Sequence, residues 1–400
     1  MYDAIIVGAR CAGSPTAMLL ARNGYRVLLL DRALFPSDTL SVHYIHQPGI
    51  ARLARWGLLQ QVIDSGCPAV PGLKVDLGPF ALEGNPPPCE GFAFGYAPRR
   101  FILDKILVDA ASAAGAEVRE RFIVEDLVFD GERVIGIKGR SPGDGTSTKL
   151  AKVVIGADGM NSLVARRVGA AEYNARPSLT CTYYSYWENL PVERAELYPR
   201  ENRMIVVGPT NHNKTLVIVY WPVEEFARVR LDIEASFMAA IDKVPALAAR
   251  IRAARRSEPF RGTKLLPNFY RKPFGPGWAL VGDAGYHKDP ITAQGITDAF
   301  RDADLLANAI HLGLSGSADL DIALEAYETE RNAATLPMYE MTLQHASLQP
   351  PPPEMQQLMG ALIHNQEQAN RFLGTMAGTV PIPEFFAPEH IGTLLLAGAS

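Results

Sequence analysis

The constraint that bears hardest on this chain lies in its first thirty-two residues, where an apolar run, a glycine turn, a helical stretch, a second apolar run and an acid follow in order. Tyr2-Asp3-Ala4-Ile5-Ile6-Val7 reads as a strand and Gly8-Ala9-Arg10-Cys11-Ala12-Gly13 as the turn leaving it. A helix is predicted from about Ser14 to Asn23, ended by Gly24, then a strand from Tyr25 to Leu30 closed by Asp31. This is the βαβ half of a dinucleotide-binding fold. Gly8 permits the tight turn, Gly13 lets the helix pack close to the sheet, and the helix N-terminus offers free N–H groups to a pyrophosphate. A carboxylate at Asp31 can accept hydrogen bonds from ribose hydroxyls. Arg10 stands where the G-x-G-x-x-G pattern has its second glycine, so the backbone cannot approach the phosphates in quite the usual way.

A chain of 400 residues exceeds one small core and suits two packed domains. Its net charge of -4 gives no strong pull toward nucleic acid or anionic membrane, so no nucleic-acid partner is expected. Cys11, Cys67, Cys89 and Cys181 are widely spaced and form no C-x-x-C pair. Neither a disulfide framework nor a metal site is expected, and a reducing cytoplasm is the default. The N-terminus reads as a strand of the fold rather than a leader, and no apolar run reaches the roughly eighteen residues of a membrane span.

Along the chain, residues 35–49 read as a polar, aromatic loop entering a helix near Gly49. Residues 68–97 hold short strand-like runs and many prolines, an excursion from the first domain. Ile102, Leu103, Ile106, Leu107 and Ala110 form a helical stripe over 100–114. Strands are predicted around the turn at Asp130-Gly131, with a hairpin tip at 141–145, and a buried strand runs through 152–155 to Gly156-Ala157-Asp158-Gly159. Residues 175–272 turn aromatic and β-branched, which predicts an antiparallel sheet with helices at about 231–253. The first domain resumes at Trp278 and continues in long helices after Gly295 and over 319–346; prolines at 350–353 precede a helical piece near 354–373. The domains read as 1–70, 98–170 and 273–345 together, 71–97 and 171–272 together, and a helical tail at 346–400.

Three separated segments line up: Gly8 to Asp31, Ala157-Asp158-Gly159, and Gly282-Asp283-Ala284 followed by Pro290 and Gln294-Gly295-Ile296. Together they resemble the FAD-dependent oxidoreductases of the para-hydroxybenzoate hydroxylase superfamily, which includes group A flavin monooxygenases, geranylgeranyl reductases and flavin-dependent halogenases. The resemblance runs nearly unbroken to about residue 312. It implies an α/β fold: a Rossmann-like FAD-binding domain of the GR2 type, an inserted antiparallel β-sheet substrate domain and a helical C-terminal tail. It also implies tightly bound FAD, with NAD(P)H as a transient electron donor.

Carried over residue by residue, Gly8, Arg10, Cys11, Ala12 and Gly13 form the turn at the FAD pyrophosphate. Asp31 holds the adenosine ribose, with the basic Arg32 after it. Arg100 lies near the ribityl chain and pyrophosphate, and Val124 offers a backbone amide to the adenine edge. Asp158 belongs to the second fingerprint and Gly282-Asp283 to the third, whose aspartate binds ribityl oxygens. Pro290 lies beside the flavin ring, and Gly295 and Ile296 present helix N-terminal amides to its pyrimidine.

Departures bear on the reaction. His43 stands where hydroxylases often have an arginine near the flavin and is taken as a cofactor-binding candidate, with His46 close by, and Tyr286 followed by His287 replaces a histidine three residues after the aspartate. Ser162-Leu163-Val164-Ala165-Arg166 is one residue longer than the hydroxylase pattern, closer to the reductase and halogenase branches. No Trp-x-Trp-x-Ile-Pro motif is present, so halogenase chemistry is not expected; Tyr184 to Pro191 reads as an aromatic strand. The leading expectation is an NAD(P)H-using monooxygenase in which oxygen adds to flavin C4a and is delivered to an electron-rich, aromatic or polyketide-like small molecule. His46, His287 and Pro290 are the catalytic candidates. Small-molecule substrate and molecular oxygen are then the partners. The alternatives are a flavin reductase of carbon–carbon double bonds and, last, a flavin-binding protein without turnover.

Overall fold

The computed structural model describes residues 1–143 and 145–397. Tyr2–Val7 (β1) is buried at all but one position, the pattern of a strand covered on both faces. Gly13–Arg22 (α1) carries the chain across to Val27–Leu30 (β2), which is entirely buried. Glu117–Arg119 (β3), Ser147–Gly156 (β4) and Trp278–Leu280 (β5) complete a parallel sheet in the order β5-β4-β1-β2-β3. The chain reverses its strand order between β1 and β4, so the carboxyl ends Val7 and Gly156 flank the crevice where such sheets bind ligands. Arg100–Ala113 (α2) and Gly295–Leu314 (α3) both pack on α1, and Leu320–Ala346 (α4) packs on α3. An antiparallel meander, Ile123–Asp130 with Arg133–Arg140, pairs with the outer half of β4.

The second sheet has eight strands among the described residues: seven in series, from Arg255–Arg256 through Thr180–Glu188, Lys214–Pro222, Arg203–Thr210, Ala195–Arg200 and Leu73–Asp76 to Ala81–Gly84, with Arg261–Thr263 also pairing on Thr180–Glu188. Side chains alternate between its faces. Cys181, Tyr183, Val217, Val219 and Trp221 meet the helices Ile233–Ile241 and Pro245–Ala253. Tyr184, Tyr186, Leu216, Ile218 and Tyr220 face the other way, toward Ile291 and the C-terminal helices. The tail forms four helices, Pro353–Leu362, Gln366–Ala377, Ile382–Phe385 and Pro388–Ala397. Gln366 Nε2 donates to Glu83 O at 2.9 Å, and Asn370 Oδ1 accepts from Asn85 N at 2.9 Å, which docks the tail on the edge of this sheet.

Two features differ from the pattern-based reading. Ala195–Arg200 is a strand although it carries Glu196 and Pro199; Glu196 is satisfied by Tyr198 Oη at 2.7 Å and Arg250 at 2.8 Å. A small sheet joins Glu172–Arg176, Asn268–Arg271 and Tyr286–His287, strands too short to show a period. Arg331 of α4 is wholly buried behind it. It donates to Gly285 O and Arg271 O, both at 3.2 Å, and to Tyr173 Oη at 2.9 Å. It thereby pins the end of the Gly282–Gly285 segment. Arg331→Met is expected to cost about 3 kcal/mol, because buried carbonyls lose their donor; a urea midpoint equal to that of the parent protein contradicts this role.

Candidate active site

The glycine turn is set by contact, not by propensity alone. Gly8 has φ +105°, and a Cβ there would lie 2.3 Å from Ala157 O. A Cβ on Gly13 would lie 1.8 Å from Gly8 O. A Cβ on Gly282 would meet Ala12 Cβ at 2.7 Å. The three segments singled out from the sequence are therefore in van der Waals contact at the carboxyl edge of the sheet. Asp31, half-buried at the end of β2, accepts from Ala9 N and Ala33 N at 2.7 Å each, which holds the turn against the strand tip. Arg32 is exposed.

Arg10 does not reach across the turn. Its guanidinium pairs with Asp104 of α2, donates to Ser37 Oγ at 3.0 Å and stacks on Phe35, 5.3 Å from the ring centre. Arg100, one helical turn before Asp104, donates to both its oxygens at 3.1 Å. Cys11 Sγ lies 3.5 Å from the same carboxylate, and burial pushes its thiol up to about 12, so it is no thiolate. Asp104 is wholly buried. Two guanidiniums on one carboxylate leave net positive charge beside the N-terminus of α1, where a pyrophosphate is favoured.

The third segment forms the opposite bank. Asp283 presents an exposed carboxylate in the short turn Gly282–Ala284, within electrostatic reach of Arg100. Ala293 adopts φ +54°, and α3 then starts at Gly295, where a Cβ would meet nothing within 4 Å. That open approach to the N-terminus of a 20-residue helix suits a planar ligand seated on Gly295 and Ile296 amides. Burial raises the Asp298 carboxyl, but Lys288 and Arg301 outweigh it and hold the group below its ordinary value, so a fixed anion sits in this first turn.

Beside this helix start lies a cavity lined by apolar side chains of the second sheet, among them Leu197, Val206, Leu216 and Ile218. Its polar groups come from Tyr44, His46 and Thr292. The His46 amide donates to Thr297 Oγ1 at 3.2 Å, which anchors it to α3. Its Nε2 lies 3.2 Å from Thr292 O, an acceptor, so Nε2 carries the proton and Nδ1 is a bare acceptor without a partner. The Tyr44 ring meets it edge-on at 4.7 Å. Burial, opposed by the Thr292 carbonyl, lowers the imidazole to about 4.

The remaining sequence candidates divide. Pro290 opens the turn Pro290–Thr292, whose Ile291 and Thr292 line the cavity with Ala293. His287 is not brought there: strand pairing places it opposite Phe269, on which it stacks at 5.9 Å, and its Nδ1 binds Pro267 O. His43, at φ +63°, turns away from the cavity, stacks on Tyr186 at 5.8 Å and hydrogen-bonds its hydroxyl. Asp158 caps the helix Leu163–Arg167: it accepts from Ser162 Oγ, and from Leu163 N at 2.6 Å. Val124 pairs with Gly139 in the meander. Asp104 and Met376, which also lines the cavity, were not singled out from the sequence; the i,i+4 spacing of Arg100 and Asp104 was the available signal for the first.

Asp104→Ala leaves Arg10 and Arg100 facing each other and is expected to destabilise the protein by about 3–5 kcal/mol, read as a fall in the urea midpoint. His46 gives a pH signature. Its unfolded value is near 6.5 and its folded value about 4, so between those pH values the unfolded chain holds the extra proton. Stability falls on acidification from pH 6.5 to 4, by about 3 kcal/mol in the limit. Asp289, pushed up to about 6 by burial, acts with the opposite sign in part of that window, so the difference between the parent protein and His46→Leu isolates the histidine. Parallel stability–pH curves for the two proteins contradict the assignment.

Comparison with known proteins identifies the family and the fold. A family described as FAD binding domain matches residues 1–341. The digeranylgeranylglycerophospholipid reductase of Methanocella arvoryzae is 27% identical over 353 residues, covering 82% of each chain. The myxobacterial chondrochloren halogenase CndH superposes with a TM-score of 0.79 at 23% identity, over 99% of this chain and 96% of that one. PqsL of Pseudomonas aeruginosa, in complex with 2-aminobenzoylacetate, superposes with a TM-score of 0.72 at 22% identity, over 93% and 98%. The fused glycine turn, the acid-bearing strand tip and the open helix start thus belong to a flavoenzyme: the chain is a member of the FAD-binding-domain family and an FAD-dependent oxidoreductase.

Proposed function

We propose that this enzyme is an NAD(P)H-using monooxygenase acting on an electron-rich, hydroxyl-bearing aromatic molecule. The observation that carries the reading is His46: a neutral imidazole with its Nε2 proton on Thr292 O and its Nδ1 buried and unpartnered, in a residue that lines the apolar cavity beside the start of α3. FAD, when bound, supplies the activation of oxygen, with NAD(P)H as its reductant. Gly8, Ala12, Gly13, Asp31, Arg100, Asp283, Gly295 and Ile296 are the residues proposed to hold it, with Arg10 acting through Asp104.

The protein's own task is to orient and polarise the substrate. A phenolic hydroxyl donating to Nδ1 is held at a fixed angle by the Tyr44 edge and the Thr297 anchor. An imidazole near 4 is about six units less basic than a phenolate near 10, so outright proton transfer from the resting phenol costs about 8 kcal/mol. His46 therefore accepts a hydrogen bond in the ground state and draws the proton closer as the ring gains positive character during attack. The apolar walls exclude water from the reacting carbon.

The reductase reading stays in view for two reasons: relatives of 27% and 29% identity are digeranylgeranylglycerophospholipid reductases, and the Ser162 to Arg166 spacing fits that branch. Oxygen uptake separates the two. FAD-loaded protein with NADH or NADPH and a panel of neutral phenols is expected to consume oxygen in a substrate-stimulated manner and yield products one oxygen heavier. His46→Ala is expected to lower kcat/KM roughly 10²-fold with flavin content unchanged. No stimulated uptake across the panel, or an unimpaired variant, overturns the proposal.

A further inference from the structure

We infer that the C-terminal segment supplies the specificity-determining wall of this cavity through Met376, and that the site takes an uncharged, apolar substrate whose length that side chain limits. The inference rests on the reading above that the cavity holds substrate. Met376 lies beyond residue 341, where the family match ends, yet its side chain lines the same cavity as His46. Its carbonyl accepts from Gln294 Nε2 at 2.8 Å, and Gln294 immediately precedes Gly295 at the start of α3. The helix carrying it stops at Gly378, which takes φ +73° and lets the chain turn away just past the cavity.

The wall is fixed by close packing. A Cβ on Gly374 would lie 2.6 Å from Val380 Cγ2 and 2.9 Å from Pro87 Cδ, and one on Gly84 would lie 2.2 Å from Asn370 Oδ1. Helix Gln366–Ala377 is thus seated directly on the excursion strands and cannot slide outward without losing those contacts. Among the described residues the cavity lining has no Lys, Arg, Asp or Glu, so a carboxylate or ammonium would enter without a counter-ion and be disfavoured. Met376 is an unbranched, flexible side chain in a lining that also holds Tyr44, His46 and Thr292, so its truncation enlarges the space and a larger ring reduces it.

The test is a titration of the FAD-loaded protein with 4-ethylphenol, 4-butylphenol, 4-hexylphenol and 4-hydroxybenzoate, read as perturbation of the flavin absorbance. The parent protein is expected to bind the alkylphenols and to bind the carboxylate at least roughly tenfold more weakly. Met376→Ala is expected to shift preference about tenfold toward 4-hexylphenol relative to 4-ethylphenol, and Met376→Trp to lose 4-hexylphenol while keeping 4-ethylphenol. Met376→Leu, with unchanged flavin content and circular dichroism, serves as the folding control. The same chain-length profile in all variants, equal binding of the carboxylate, or no perturbation by any phenol overturns the inference. A shifted profile without oxygen uptake overturns the monooxygenase reading alone; oxygen uptake with an unshifted profile overturns the role of Met376 alone.

Discussion

Asp104 ties the front of the molecule together. Its buried carboxylate is gripped by Arg100 from its own helix and by Arg10 from the glycine turn, so α2 cannot move without moving the turn. A lone buried carboxylate is costly to desolvate; two guanidiniums offset that cost and still leave positive charge facing the crevice. The residue that breaks the glycine pattern is thereby explained. Arg10 takes its side chain sideways onto Asp104, Ser37 and Phe35, leaving the backbone of the turn uncovered by it.

From that fixed point the geometry propagates. The turn touches Ala157 at the end of β4 and Gly282 at the end of β5, so the three strand ends share one edge. Gly282 leads through Pro290 to the left-handed Ala293 and the open start of α3. His46 is bound to that same helix start by Thr297 and to its approach by Thr292. The helix start and the apolar cavity are thus adjoining surfaces of one segment, the adjacency on which the proposed roles of FAD and substrate rest.

The sequence made the cradle legible because its requirements are local and chemically strict. Gly8 and Gly13 have no room for a Cβ, and Asp31 stands at a strand tip, features that leave signatures in spacing. His46 and Pro290 were legible as candidates through their neighbours. His287 shows the limit: its two-residue strand gave no side-chain direction, and the pairing with Phe269 decides that it packs elsewhere. His43 is likewise redirected by a positive φ that its residue type did not announce. The tail wall was illegible, because Gln294 and Met376 are 82 positions apart and nothing in either sequence neighbourhood marks the other.

In the proposed complex His46 Nδ1 receives the substrate hydroxyl in the cavity that Met376 also lines. A crystal structure of the FAD-loaded enzyme with 4-butylphenol tests it directly. The phenolic oxygen is expected about 2.7–3.0 Å from Nδ1, with Nε2 still on Thr292 O and the butyl chain against Met376. A phenol bound elsewhere, or an imidazole turned so that Nδ1 faces protein or flavin instead, would contradict it.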